Sequence, residues 1–224
     1  MILKNKNIVI TGGTGGLGKE LALLFRKEGA NVTVCSKDNK GLQEISENKI
    51  FSIVAVVTKE KDLTKLASWV VKKFGSIDIW VNNAGVWLPH DFAENFDMVK
   101  VKKMFEVNTF GTINGSRVAL REMKKRGLGT VVNIISDSAL TGRPTSSMYS
   151  SSKWAIRGFT KSIRDEIQGI EVIGIYPGGF KTEIFGKNKP EDFDNFMEVN
   201  YVAQKIIKNL KSKNPKKDLV INKL

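Results

Sequence analysis

Short runs of β-branched and aliphatic residues alternate along the chain with longer stretches in which apolar residues recur every three or four positions. The short runs are NIVIT (7–11), NVTVC (31–35), FSIVAVV (51–57), IDIWV (77–81), TVVNII (130–135), EVIGIY (171–176) and DLVIN (218–222). Each reads as a strand, and their nearly continuous apolar character implies burial on both faces. Leu17, Leu21, Leu24 and Phe25 recur at helical spacing, and Gly29 closes that segment. Further helix-period stretches cover 62–74, about 94–125, about 147–168 and 199–211. Alternating strands and helices predict a parallel sheet covered by helices on both faces. The expectation is an α/β fold, a doubly wound three-layer αβα sandwich, with one domain spanning 1–224. Ligands of such folds bind outside the carboxyl ends of the strands.

Composition narrows the function classes. No apolar run approaches the ~18 residues of a membrane span. The opening MILKNKNIVI lacks the apolar stretch and cleavage site of a signal peptide and reads as running into the first strand. One cysteine, Cys35, rules out an intramolecular disulfide and fits a reducing cytoplasm. One histidine, His90, argues against a Ser-His-Asp site or a His-rich metal site, and reads as a surface side chain in a loop. The net charge is +13, from 36 Lys+Arg against 23 Asp+Glu. The lysines are spread along the chain and mixed with acids, and the densest cluster, KNLKSKNPKK (208–217), has no interleaved aromatics. That pattern reads as a solvated basic face, with neither a nucleic acid nor a membrane as partner.

The segment TGGTGGLGKE (11–20) lies between the first strand and the first helix. Gly13, Gly15 and Gly18 satisfy G-x-G-x-x-G. Gly13 to Lys19 nearly satisfy the P-loop G-x-x-x-x-G-K-[ST], but Glu20 stands where a metal-binding hydroxyl belongs. Thr11, Gly12, Gly16 and Gly18 satisfy T-G-x-x-x-G-x-G. All three patterns place glycines where backbone approaches a phosphate at a helix N-terminus. The loop alone says phosphate or dinucleotide.

Downstream motifs separate the three. NNAG (82–85) follows the fourth strand, and Asn108 lies in FEVNTFG. Ser136 ends the fifth strand, thirteen residues before Tyr149, which opens YSSSK (149–153). YPGGFKT (176–182) follows the sixth strand. Tyr149 and Lys153 are four apart on a predicted helix and so share a face. A free tyrosine has a pKa near ~10, and a nearby cation favours its phenolate. In order and spacing these motifs resemble the short-chain dehydrogenase/reductase family, in its compact single-domain subgroup, from about Lys6 to Thr182.

The resemblance implies a Rossmann-type fold binding a nicotinamide cofactor. Tyr149 would be the general acid or base at a carbonyl or secondary alcohol. Lys153 would lower its pKa and bond the nicotinamide ribose, Ser136 would hold the substrate oxygen, and Asn108 would support a water linking Lys153 to solvent. Gly12, Thr14, Gly16, Leu17 and Gly18 would hold phosphate, and Asn83, Ala84 and Gly85 would border the adenosine. Pro177, Gly178, Phe180 and Thr182 would line the nicotinamide end. No metal is implied.

An acid at the end of the second strand selects NAD, and a cation there accommodates the 2′-phosphate of NADP. Counting eighteen residues from Gly18 places Ser36 at the acidic position, followed by Lys37. The expectation is NADP(H) preference with NAD(H) possible, since a two-residue shift would bring Asp38 into place. Val56 stands where the family carries an acid that contacts adenine. A short lid is expected at about 183–200, and Trp87, Leu88, Met148, Phe180, Phe185, Phe193 and Phe196 read either as an apolar pocket or as packing. The long helices resemble those that pair subunits, implying a homodimer or homotetramer. A catalytically silent nucleotide sensor on the same fold is the alternative function.

Overall fold

The computed structural model describes residues 1–223. Seven parallel strands form one sheet: β1 (Asn7–Thr11), β2 (Asn31–Ser36), β3 (Phe51–Val54), β4 (Ile79–Asn82), β5 (Gly129–Ile134), β6 (Ile170–Pro177) and β7 (Asp218–Ile221). Their spatial order is β3-β2-β1-β4-β5-β6-β7. The order reverses between β1 and β4, where Ile8, Val9 and Ile10 pair with Ile79, Trp80 and Val81. A crevice opens at the carboxyl ends at such a reversal.

Side chains alternate across this sheet into two cores. Ile8, Ile10, Val32 and Val34 face α1 (Gly16–Lys27) and α7 (Val199–Lys211). Val9, Cys35, Trp80 and Val131 face α3 (Glu60–Phe74) and α5 (Gly111–Lys124). α2 (Asn39–Ser46) packs beside β2 and β3, and α4 (Met98–Phe105) and α6 (Ser147–Glu166) complete the helical layers. The last strand is held by Asp218, which accepts from Arg164 (2.9 and 3.1 Å) and from the Tyr176 hydroxyl (3.1 Å). No described helix is long and apolar enough to cross a membrane.

The doubly wound reading holds, with local differences. β3 ends at Val54 rather than 57, because Ala55–Thr58 leave the sheet to form the wall of a cleft. β4 begins at Ile79 rather than 77 and runs on to Asn82. The stretch expected as one helix over 94–125 is broken: a single turn at Ala93–Asn95, then α4, a π-helical turn at Glu106–Phe110, and α5. α2 was not expected from periodicity; the Asp38 carboxylate starts it by accepting from Lys40 N and Gly41 N.

Between the layers lies a closed polar network. Asn82 Nδ2 donates to Asn133 Oδ1 (2.8 Å) and Ser116 Oγ (2.9 Å), and Asn133 Nδ2 donates to Thr160 Oγ1 (2.9 Å). Trp80 Nε1 donates to Asn82 Oδ1 (2.8 Å). These bonds tie β4 and β5 to α5 and α6; of these, β5 and α6 border the cleft described next.

Candidate active site

A cleft of about 930 Å³ runs along the carboxyl ends of the strands. Its middle is the glycine loop. Gly12 and Gly16 have φ of +64° and +48°, which favour glycine. At Gly12 a Cβ would come within 2.9 Å of Ala84 Cα, and at Gly16 within 2.5 Å of Thr182 Oγ1. Gly15, by contrast, faces open space. The first turn of α1 carries no acidic side chain, and no side chain caps it. Its first N–H groups, at Gly16 and Leu17, therefore lack side-chain partners where these residues line the cleft, the arrangement an anion needs.

The second wall fixes this loop in place. Asn83 Nδ2 donates to the Thr11 and Gly12 carbonyls (3.0 Å each), while Thr11 Oγ1 accepts from Asn83 N (3.0 Å) and Ala84 N (3.1 Å). Gly18 stands back from the cleft and packs against the Gly12 carbonyl and Asn83, so its role is helix-to-strand contact. Thr14 also stands back; its hydroxyl donates to Ser36 Oγ (3.1 Å) and orients that side chain. Gly12, Gly16, Leu17, Ser36, Lys37, Asn83, Ala84 and Gly85 all line the cleft. Asp38 is committed to capping α2 and is not among the lining residues.

Ser136, Tyr149 and Lys153 meet at the other end, with Pro177, Gly178, Phe180 and Thr182. Lys153 is buried, donates to the Ile134 carbonyl (3.2 Å), and places Nζ 5.7 Å from the centre of the Tyr149 ring. Burial pushes the Lys153 ammonium down to about 8. Burial pushes the Tyr149 phenol up to about 12, opposed by the Ser136 hydroxyl. Ser136 Oγ accepts from Ser138 N (3.1 Å), and its hydrogen can reach Asp137 Oδ1 (3.3 Å).

Asn108 lies one layer behind. It sits in the π-helical turn, fully buried, and its amide accepts from Val86 N (2.8 Å) and donates to Val86 O (2.9 Å) and Ser152 Oγ (3.2 Å). A Cβ at Gly85 would lie 3.4 Å from Asn108 Oδ1 and 3.9 Å from Lys153 Nζ, so Asn108 braces the strand-end loop beside the lysine. The small serines of the YSSSK stretch follow the same logic. Ser152 packs on the π-turn, accepting from Asn108 and offering its carbonyl to Thr109 Oγ1 (3.2 Å).

Several residues that the sequence reading did not place also reach the cleft. Arg143 forms an ion pair with Asp137 next to Ser136. His90 is exposed, as expected, yet stands at the cleft's mouth with its ring 5.5 Å from Trp87. Trp87, Phe180, Phe185 and Phe196 line the cleft, whereas Leu88, Met148 and Phe193 do not. Phe185 meets Trp87 edge-on at 5.0 Å and Phe193 and Phe196 at 5.7 Å. The segment expected as a lid contains two single turns, Glu183–Phe185 and Phe193–Asn195. Its base is pinned where Phe180 bridges Met197. Among the described residues no cluster of His, Cys, Asp and Glu could hold a metal.

The sequence profile of the short chain dehydrogenases matches residues 6–192. The chain belongs to the short-chain dehydrogenase family. Its relatives include the uncharacterized oxidoreductase YxnA of Bacillus subtilis, 32% identical over 80% of this chain; the match spans 53% of YxnA, about half its length. A 3alpha-hydroxysteroid dehydrogenase of Mediterraneibacter gnavus is 30% identical, over 82% of this chain and 77% of that one. The structure of ElxO with NADP bound superposes with a TM-score of 0.86 and 31% identity, covering 97% of each chain. This short-chain dehydrogenase thus carries the family's fold and a cleft whose glycine cradle suits a nicotinamide dinucleotide.

Proposed function

We propose that this protein is an oxidoreductase moving hydride between NADP(H) and a carbonyl or secondary alcohol. The observation that carries the reading is the meeting of Tyr149, Lys153 and Ser136 at the end of a cleft that also holds the glycine loop. The dinucleotide, when bound, supplies or takes up the hydride. Gly12, Gly15, Gly16 and the start of α1 would hold its phosphates, and Thr182, resting on Gly16, would meet its nicotinamide end.

The chain's own groups divide the remaining work. The Ser136 hydroxyl, with its oxygen held by Ser138 N–H, offers its hydrogen to the substrate oxygen. Tyr149, with its pKa pushed up to about 12, is protonated at neutral pH and enters as an acid. Lys153 holds positive charge 5.7 Å from the phenol ring and stabilises the phenolate as the proton leaves. Asn108 keeps the Gly85–Val86 backbone beside Lys153.

Ser36 and Lys37 at the end of β2 support NADP(H), since neither repels a 2′-phosphate and Lys37 attracts one. The engagement of Asp38 as a helix cap supports the same preference. The aromatic wall of Trp87, Phe185 and Phe196 supports an apolar, ring-bearing carbonyl substrate, as does the steroid alcohol named for the relative from M. gnavus. Exposed Met98, Val99, Phe110 and Trp154 on the helices expected to pair subunits support a homodimer or homotetramer.

The test is NADPH oxidation across aldehydes, cyclic ketones, 2-oxo acids and acyl carriers, with wild type and Tyr149→Phe. Turnover with a cyclic ketone, lost in Tyr149→Phe while NADPH still binds, is the expected result. NADPH binding without turnover on any carbonyl would favour a nucleotide sensor instead.

A further inference from the structure

The adenosine end of the cleft lacks the carboxylate that Val56 replaces, yet an adenine has an exocyclic amino group that needs an acceptor when it is held. We infer that Glu106 supplies that acceptor and makes the cleft selective for adenine. The inference rests on the dinucleotide reading of the cleft.

Ser36 and Lys37 end β2, so the base lies one strand further out, between the end of β3 and the α4 side. Val56, Val57 and Val107 give this end two apolar faces, and Thr58, Lys103 and Glu106 are its polar side chains. The distance between the two walls is set by packing. Asn114 Nδ2 donates to the Val57 carbonyl (3.2 Å), and Gly111 lies so close that a Cβ there would come within 2.8 Å of Val57 Cγ2. These contacts hold the turns carrying 103–107 against Val56–Thr58.

Within that end, Glu106 carries the one carboxylate that is both at the cleft and free. Its side chain is exposed, and no ion pair among the described residues engages it. Asp62, close to Val56, accepts from Val56 N (3.2 Å) and is not among the lining residues. Asp137, Glu183 and Asp192 line the opposite end, with Ser136 and the lid. A carboxylate accepts from an amino group and repels a carbonyl oxygen. Glu106 would therefore favour adenine over hypoxanthine, which presents an oxygen at the same position.

The experiment titrates wild type, Glu106→Ala, Glu106→Gln and Thr58→Val with NADPH and NADH, each against its hypoxanthine counterpart, following cofactor fluorescence. Wild type is expected to bind the adenine forms about tenfold tighter than the hypoxanthine forms. Glu106→Ala should bind the two forms equally. Glu106→Gln, whose amide can donate to the oxygen, should bind the hypoxanthine forms more tightly than wild type does. Thr58→Val should discriminate as wild type. Undiminished discrimination in Glu106→Ala, equal affinities in wild type, or a loss caused by Thr58→Val instead would overturn the role of Glu106. Failure of wild type to bind any dinucleotide would overturn the reading of the cleft itself, and the role of Glu106 with it.

Discussion

The floor of the cleft and its proposed lid are built by different physics. On the floor, polar atoms bond directly to backbone: Asn83 to the Thr11 and Gly12 carbonyls, Asn108 to both polar groups of Val86, Lys153 to the Ile134 carbonyl. Behind them, Asn82, Asn133, Ser116 and Thr160 satisfy one another in the interior. Such groups are costly to leave unpaired when buried, so they tolerate one arrangement. The lid is held at its base by the Phe180–Met197 bridge and inside by aromatic edges at 5.0–5.7 Å. Aromatic pairs contribute about 0.5–1.5 kcal/mol each beyond their burial and can be re-paired. The residues proposed for chemistry stand on the part with one solution, and the aromatic wall proposed for substrate choice on the part with several.

The largest effect should come from the floor. Tyr149→Phe removes the transferable proton and should lower turnover by about a thousandfold, with cofactor affinity unchanged by fluorescence titration. Lys153→Met should also abolish turnover, yet stabilise the unliganded protein at pH 7 by about 2–3 kcal/mol in urea denaturation. The sign follows from the lowered pKa: the unfolded lysine holds its proton to about 10.5, the folded one only to about 8. The variant's advantage is complete below pH 8, shrinks as pH rises through that window, and vanishes above it. An advantage unchanged from pH 7 to pH 11 would show that packing, not charge burial, is responsible. Gly18→Ala drives a methyl into the Gly12 carbonyl and Asn83, and should cost about 1–3 kcal/mol of stability.

Smaller effects are expected nearer solvent. Lys37→Ala should weaken NADPH about tenfold and leave NADH unchanged, as read by the ratio of the two dissociation constants. Phe185→Ala in the lid should raise KM for a cyclic ketone several-fold, with kcat, cofactor affinity and melting temperature close to wild type. A thousandfold loss of kcat in Phe185→Ala would erase the contrast between floor and lid.

The layered fold was legible because buried parallel strands must be apolar on both faces, as Ile8 to Ile10 are. Ser136, Tyr149 and Lys153 were legible as candidates because they stand at fixed spacings on a strand end and one helix, and the fold brings them to one cleft. The π-turn at Glu106–Phe110 left no mark on the apolar periodicity, since helix continues on both sides. α2 was missed because Gly41 depresses helix propensity, although its need to pack tightly on Thr14 and Asp38 explains the residue. The run 51–57 looked like one strand because it is apolar almost throughout; Ala55 N still bonds Ser36 O of β2 (3.1 Å), but Val57 is buried against Asn114 and Gly111 of α5 instead of in the sheet. Arg143 and Glu106 were invisible as cleft-lining residues because only tertiary folding brings them there.

The bonds from Asn83 to Thr11 and Gly12 join positions separated by 71 and 72 residues. β2 holds the glycine loop through Gly12 N to Cys35 O (2.8 Å), but the loop gains its second brace only when β4 has slotted in beside β1, a non-local pairing. Nucleotide affinity is then a gauge of completed assembly. An intermediate that has formed β1, α1 and β2 but not β4 presents the same glycines without this second brace, so added dinucleotide would draw such chains toward the finished sheet by mass action.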